Sequence, residues 1–518
     1  MTLVNRREFL KRLGAGSAIA VLPGYVSLGR VSVALGSPLP ADLADAGLSL
    51  ARKAGAEYAD IRICSYVYQW IHLRDRKIHE MEDTSDKGFS VRVLVNGAWG
   101  FAASNVMTEE KMTTVVGRAV QLGRQAARLQ VEPAKLVQVP SYQDTFETSY
   151  VEDPMEVPTA EKVNLLYTLC DRLLAYKGIV SAESMLYIAR EDKHFFSTVG
   201  SRIKQRIVRA WCEYKATASS EDDHESRKFT APPRTAGYEH IRQAGLLENV
   251  ERIASEAVEK VNAEACPSNV KRDLVILPSN LWLTIHESVG HPTELDRVLG
   301  WEANYAGTSF ATLDKLGSLK YGAPHVNFKA DRTRPGGMST CGYDDEGVKT
   351  TQWFIVKDGI LVDYQTNRET ARIIGAQASN GCAYADSWLH VPIIRIPNLW
   401  LEPDPSGPTL EDLIADTKNG ILIDGDGSYS IDQQRRNFQF GGDAFWEIKN
   451  GKRTRMLKKV TYQSYTTDFW NSVDAICNPS YFELYGTIEC GKGQPGQSAQ
   501  MSHGSSPARF KDILVDVT

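Results

Sequence analysis

Residues 285 to 296 read Ile-His-Glu-Ser-Val-Gly-His-Pro-Thr-Glu-Leu-Asp, and within them His286, Glu287 and His291 have the types that hydrolytic metal chemistry needs. Neutral imidazoles suit zinc, and a carboxylate beside the first ring can take a proton from metal-activated water. The spacing is one residue longer than the His-Glu-x-x-His of helical zinc sites. On a regular α-helix, positions i and i+4 lie about 40° apart, whereas i and i+5 lie about 140° apart. A regular helix would therefore point the two rings away from each other. Gly290, just before His291, and Pro292, just after it, offer the remedy, because a helix can end or bulge at such residues.

Two histidines leave a zinc site short of one protein ligand. Cys490 is one candidate: it precedes the polar, glycine-rich run from Gly491 to Ser498, where a thiolate is sterically accessible. A two-histidine, one-cysteine set would keep a fourth position open for water. Glu294, Asp296, His325, Cys341 and His503 compete for the same role. Glu294 and Asp296 read better as groups that orient the imidazoles or shape the helix end. The other cysteines are dispersed, with no Cys-x-x-Cys pair, and read as small buried apolar residues.

The elements that must position these residues fall into an α+β pattern. Asp42 to Ala54 fits a helical face, and Tyr58 to Cys64 and Val67 to Leu73 read as strands. Asn96-Gly97 between two apolar runs is a hairpin signal, and Thr108 can cap a helix running to about Leu129. The proline-bearing stretch from Val131 to Val157 reads as a linker. A helix from Thr159 to about Tyr176 follows, then strands such as Leu186 to Arg190 and Ile203 to Tyr214, a solvated loop at Ser219 to Lys228, and a helix from Tyr238 to Ala263. The last unit opens with a strand at Asp273 to Leu277. It contains turns at Asp358-Gly359, Asp424 to Gly427 and Asn450-Gly451, so antiparallel sheet is expected to dominate. The expected divisions are 1–36, 37–130, 131–266 and 267–518.

At 518 residues, 42% apolar and 24% charged, the chain has the composition of a soluble globular protein. A net charge of -5 and the absence of a Lys/Arg stripe argue against a nucleic-acid partner. Residues 1–36 read as an export leader, with Arg6-Arg7 ahead of Phe9, Leu10 and Lys11, a short apolar run from Leu13 to Leu22, and small residues near Ala34 to Gly36. The paired arginines resemble the twin-arginine signal of bacteria, which carries folded proteins across the inner membrane. The apolar run is too short for a stable membrane anchor, so a periplasmic or secreted protein is expected.

With its flanks, His286 to Asp296 resembles the HExxGHxxExD signature of the TldD/PmbA metallopeptidases. The resemblance extends to Asp344 to Val348, to Asn367 to Gly375, to Tyr485 to Gln494, and to the Ala59-Asp60 strand with the hairpin around Val91 to Ser104. It implies a multi-domain fold of mixed helix and mainly antiparallel sheet. It also implies Zn2+ on His286, His291 and Cys490, and Glu287 as general base. The implied activity is hydrolysis of peptide bonds in short or unstructured polypeptides, and the implied partner is a TldE/PmbA-like subunit or a second copy. Pro292-Thr293 and the export leader depart from the family pattern. Two other readings of the residues stand beside this one: a noncatalytic subunit that merely holds metal, and a metal hydrolase acting on non-peptide substrates.

Overall fold

The computed structural model describes residues 40–130 and 132–517; the expected export leader lies outside them. The first helix, α1 (Pro40–Lys53), buries Leu43, Ala44, Leu48 and Ala51. It packs with α2 (Glu109–Ala126) over one face of a sheet. Thr108 caps α2 by accepting from the Lys111 N–H, and Glu109 and Glu110 favour its positive end.

That sheet has seven strands. Its antiparallel body is β1 (Tyr58–Arg74), β2 (Lys77–Val95), β3 (Ala98–Ser104), β5 (Ile179–Ser197), β6 (Arg202–Ser219) and β7 (His224–Arg234), and β4 (Gln143–Glu147) joins β6 in parallel. The two strands expected in the first unit are one continuous β1. It pairs β2 on one side and β5 on the other, so strands from both sides of residue 130 share a sheet. Asn96 and Gly97 both adopt positive φ, as their hairpin requires.

Four expectations need correction. The stretch 131–157 is not wholly linker, because residues 143–147 pair with β6. The Ser219 to Lys228 segment is a short turn into β7, with Asp223 bound by Lys458 and Lys459. The helix expected over 238–263 is two, α3 (Tyr238–Gln243) and α4 (Val250–Val261), parted at Gly245 with φ +69°. Asp424 to Gly427 is not a hairpin turn; it lies within a strand, at an irregularity of register where the sheet bends.

The carboxyl-terminal half holds two more large sheets, besides a two-stranded pair of Ala383–Tyr384 with Ile393–Ile394. In one, β8 (Val270–Ile276), β9 (Asn419–Ile431), β10 (Asn437–Lys449), β11 (Val460–Tyr465) and β13 (Ala508–Val517) close into a ring. In the other, β12 (Gln497–Ser505) pairs antiparallel with the edge segment Glu483–Lys492. Between the two runs a short helix, Pro278–Ile285, in one large apolar core that includes Leu281, Ile285, Phe440, Tyr462 and Trp470.

The family-like segment Asp344 to Glu346 lies away from His286. Its carboxylates are buried against the seven-stranded sheet: Arg92 bridges Asp60 and Glu346 at 2.7 and 2.8 Å, and Lys193 reaches Asp345 at 3.0 Å. These pairs tie the first sheet to the carboxyl-terminal half. Among the described residues, no helix is long and apolar enough to cross a membrane.

Candidate metal centre

The helix Pro278–Ile285 begins with proline at its first turn and is locked in rotation by buried polar contacts. Asn280 Nδ2 donates to Gly425 O and Gly441 O, both at 2.9 Å, and Tyr462 Oη donates to Asn280 Oδ1 at 2.9 Å. Beyond Ile285 the chain does not continue as α-helix. Residues His286–Gly290 form a π-turn in which the His291 N–H donates to His286 O, followed by a 3₁₀ turn at His291–Thr293.

This is the structural answer to the long spacing. An i→i+5 bond closes a wider turn, so residues five apart stack as residues four apart do on an α-helix. The rings of His286 and His291 stand 4.7 Å apart between centroids. The disturbed ladder finds side-chain partners: Gln365 Nε2 donates to Gly290 O at 2.5 Å, Thr293 Oγ1 to Val289 O at 2.7 Å, and Tyr321 Oη to Ser288 O at 2.5 Å. Gly290 lies close against Ile396, whose Cδ1 a Cβ there would meet at 2.9 Å.

The third residue arrives from the edge strand Glu483–Lys492. Tyr485 and Thr487 oppose His503 and Met501, but Cys490, not Glu489, opposes Ala499. One extra residue has been inserted, a bulge that turns Cys490 onto the face carrying Thr487 and His503. Its Sγ lies 3.5 Å from His291 Nε2, and ligand atoms of His286, His291 and Cys490 all fall within 4.8 Å of one another. All three are buried.

Each ring is held from behind. His286 Nδ1 meets His503 Nε2 at 2.8 Å, and His291 Nδ1 meets Glu294 Oε2 at 2.8 Å, which leaves both Nε2 atoms for a metal. Glu294 is fixed in turn by Lys492 at 3.0 Å, whose ammonium also reaches Asp296 at 2.7 Å and Ile394 O at 2.8 Å. Burial pushes the His286 imidazole down to about 4 and holds His291 and His503 well below the usual histidine range. Neutral rings and a nearby thiol are the donor set that zinc prefers.

The competing residues therefore divide. His503, Glu294 and Asp296 stand behind the cluster, whereas His325 is exposed in a loop and Cys341 is buried beside Arg332 and Asp344. Glu287 lines a cavity of about 300 Å³ with His286, His291 and Cys490. A second hollow of about 240 Å³, walled by Trp211 and Tyr485, shares Trp282, Asp426 and Thr487 with it. Sequence reasoning missed Arg435, whose Nη1 ion-pairs with Glu287 Oε2 from the β9–β10 connection. Nothing in the run Asp432 to Asn437 marks it. Lys492 was legible only as part of the stretch Tyr485 to Gln494.

The three large sheets, with a His, His, Cys cluster at the end of a broken helix, are those of a chain that matches a family of metallopeptidases along most of its length. The chain belongs to it. Residues 59–123, 152–264 and 271–515 match domain 1, the central domain and the C-terminal domain of the PmbA/TldA metallopeptidases. A metalloprotease of Methanocaldococcus jannaschii is 29% identical over 459 residues, covering 88% of this chain and 96% of that protein. A zinc metalloprotease TldD homolog of Saccharolobus solfataricus is 22% identical, covering 90% and 98%. The crystal structure of TldE from Thermococcus kodakarensis shares the fold, with a TM-score of 0.69 at 15% identity, covering 91% of this chain and 99% of that one.

Proposed function

We propose that this protein is a zinc-dependent peptidase, with His286 Nε2, His291 Nε2 and Cys490 Sγ holding the ion and Glu287 acting as general base. The observation that carries the reading is the convergence of those three ligand atoms beside a carboxylate in one cavity. Family membership and the relatives described as metalloproteases support it. Bound zinc would supply Lewis-acid polarisation and make water a stronger acid.

Everything else falls to the chain. Glu287 Oε2 is engaged by Arg435, so Oε1 is the proton acceptor: it takes a proton from the attacking water and returns it to the leaving amine. His503 and Glu294 keep the rings oriented during this cycle. The substrate is a short or unstructured polypeptide, a reading supported by the recessed cavity and the neighbouring hollow that shares Trp282 with it. Glu287→Gln should bind zinc as the parent does while peptide hydrolysis falls at least a hundredfold. Full activity in that variant would remove the assignment.

The reading extends to assembly and place. The shared fold with TldE supports pairing with a related subunit or a second copy; sedimentation with and without a candidate partner should show a mass above one chain, and a single-chain mass throughout would remove this part of the reading. Arg6-Arg7 and the run after it support export of the folded protein. Lysine at both positions should hold the precursor in the cytoplasm, and unchanged export would remove that part of the reading.

A further inference from the structure

Arg435 occupies an unusual place. It lies in the tight connection between β9 and β10 at φ +63°, a left-handed conformation that glycine adopts freely and a branched or bulky side chain does not favour. The connection is held on every side. Asp432 accepts from the N–H groups of Gln434, Arg436 and Asn437, and its carbonyl accepts from the Arg435 N–H. Thr308 N–H donates to Gln433 O, Phe310 N–H to Gln434 O, and Thr466 Oγ1 to Arg435 O. A Cβ on Gly307 would meet Gln433 O at 2.3 Å, so the supporting loop lies directly against the turn.

All this rigidity serves one side chain. Arg435 lines the metal cavity, with Nη1 on Glu287, while its Nε is buried behind and has no hydrogen-bond partner among the described residues. A cation already fixed on the cavity wall beside the general base is arranged for negative charge that develops during the reaction.

Resting on the peptidase reading above, we infer that Arg435 is a catalytic residue that stabilises the oxyanion formed at the scissile peptide carbon. When the water oxygen adds to the carbonyl carbon, the π pair moves onto the carbonyl oxygen, and Arg435 donates an N–H hydrogen bond to it without transferring a proton. Collapse restores the C=O bond, breaks the C–N bond and sends the amine away with the proton that Glu287 had taken. Because the turn is already ordered, the guanidinium needs no reorganisation as the charge appears.

The test compares Arg435→Ala and Arg435→Lys with the parent and with Glu287→Gln, all loaded with zinc and checked for equal metal content. For Arg435→Ala, kcat should fall 100- to 1000-fold with KM within threefold, and added guanidinium should restore part of the loss. Calorimetry supplies a readout free of turnover. A tetrahedral phosphinic peptide should bind Arg435→Ala more weakly by about the same factor as kcat/KM falls. An uncleaved peptide should bind Glu287→Gln and the Glu287→Gln, Arg435→Ala double variant equally within threefold. Near-normal kcat/KM in Arg435→Ala, or equal weakening of peptide and phosphinate, would overturn the inference. If Glu287→Gln itself hydrolyses peptide at the parent rate, the peptidase reading fails instead.

Discussion

Lys492 is the residue whose removal the structure prices most clearly. Its ammonium is fully buried and touches Glu294 at 3.0 Å, Asp296 at 2.7 Å and Ile394 O at 2.8 Å, with Glu302 at 3.9 Å. Arg297, at 2.9 Å from Glu302, is the other cation of the cluster. Three carboxylates therefore face two cations. Burial and the neighbouring charges already push the Glu302 carboxyl up to about 7, and burial raises Asp296. Lys492→Met keeps the length and removes the charge. Breaking a buried pair by deleting one partner costs about 3–5 kcal/mol, so a deficit of about 4 kcal/mol is expected at pH 9, where the carboxyls are ionised.

The pH dependence follows from the same cluster. A carboxyl whose folded pKa is raised stabilises the fold below its unfolded value, and that contribution is lost as pH rises through the folded pKa. Removing Lys492 raises Asp296 and Glu302 further, because it is the cation that most lowers both. Its loss favours the protonated form of one of them by about 2 kcal/mol. The deficit of the variant should thus shrink from about 4 kcal/mol at pH 9 to about 2 kcal/mol at pH 6. Urea unfolding followed by tryptophan fluorescence reads it, on chelator-treated protein so that metal release does not enter. A variant within about 1 kcal/mol of the parent at pH 9, or a deficit that grows on acidification, would refute the reasoning.

Three further outcomes are expected. His503→Phe removes the support behind His286 and should weaken zinc binding about 10- to 100-fold with the fold intact, read by competition with a chromophoric chelator. Zinc affinity should fall by no more than one proton's worth, about tenfold per pH unit, between pH 7 and pH 5, because burial pushes His286 down to about 4 and holds His291 well below the usual histidine range, so that only the thiol competes; a two-proton slope would contradict this. Arg227→Met, which strips a buried guanidinium from Asp443, Glu256 and Asp424, should cost about 3–5 kcal/mol in urea unfolding, and a loss under about 1 kcal/mol would show those ion pairs to be dispensable.

The sequence by itself determined what depends on neighbours along the chain. The chemistry of His286, Glu287 and His291, and the need for a break at Gly290, follow from residue type and helical period. So do the Asn96-Gly97 hairpin and the Thr108 cap, because turns and caps are decided within a few residues. Only the tertiary structure decided that the break is a π-turn, since its displaced carbonyls are satisfied by Gln365 and Tyr321 from distant segments. It also decided which of six candidates joins the two rings. A one-residue bulge opposite Ala499 turns Cys490 inward, and register is set by pairing between strands. The place of Arg435 beside Glu287, 148 positions earlier, was equally hidden, because a polar turn carries no mark of what it will face once the chain has closed around it.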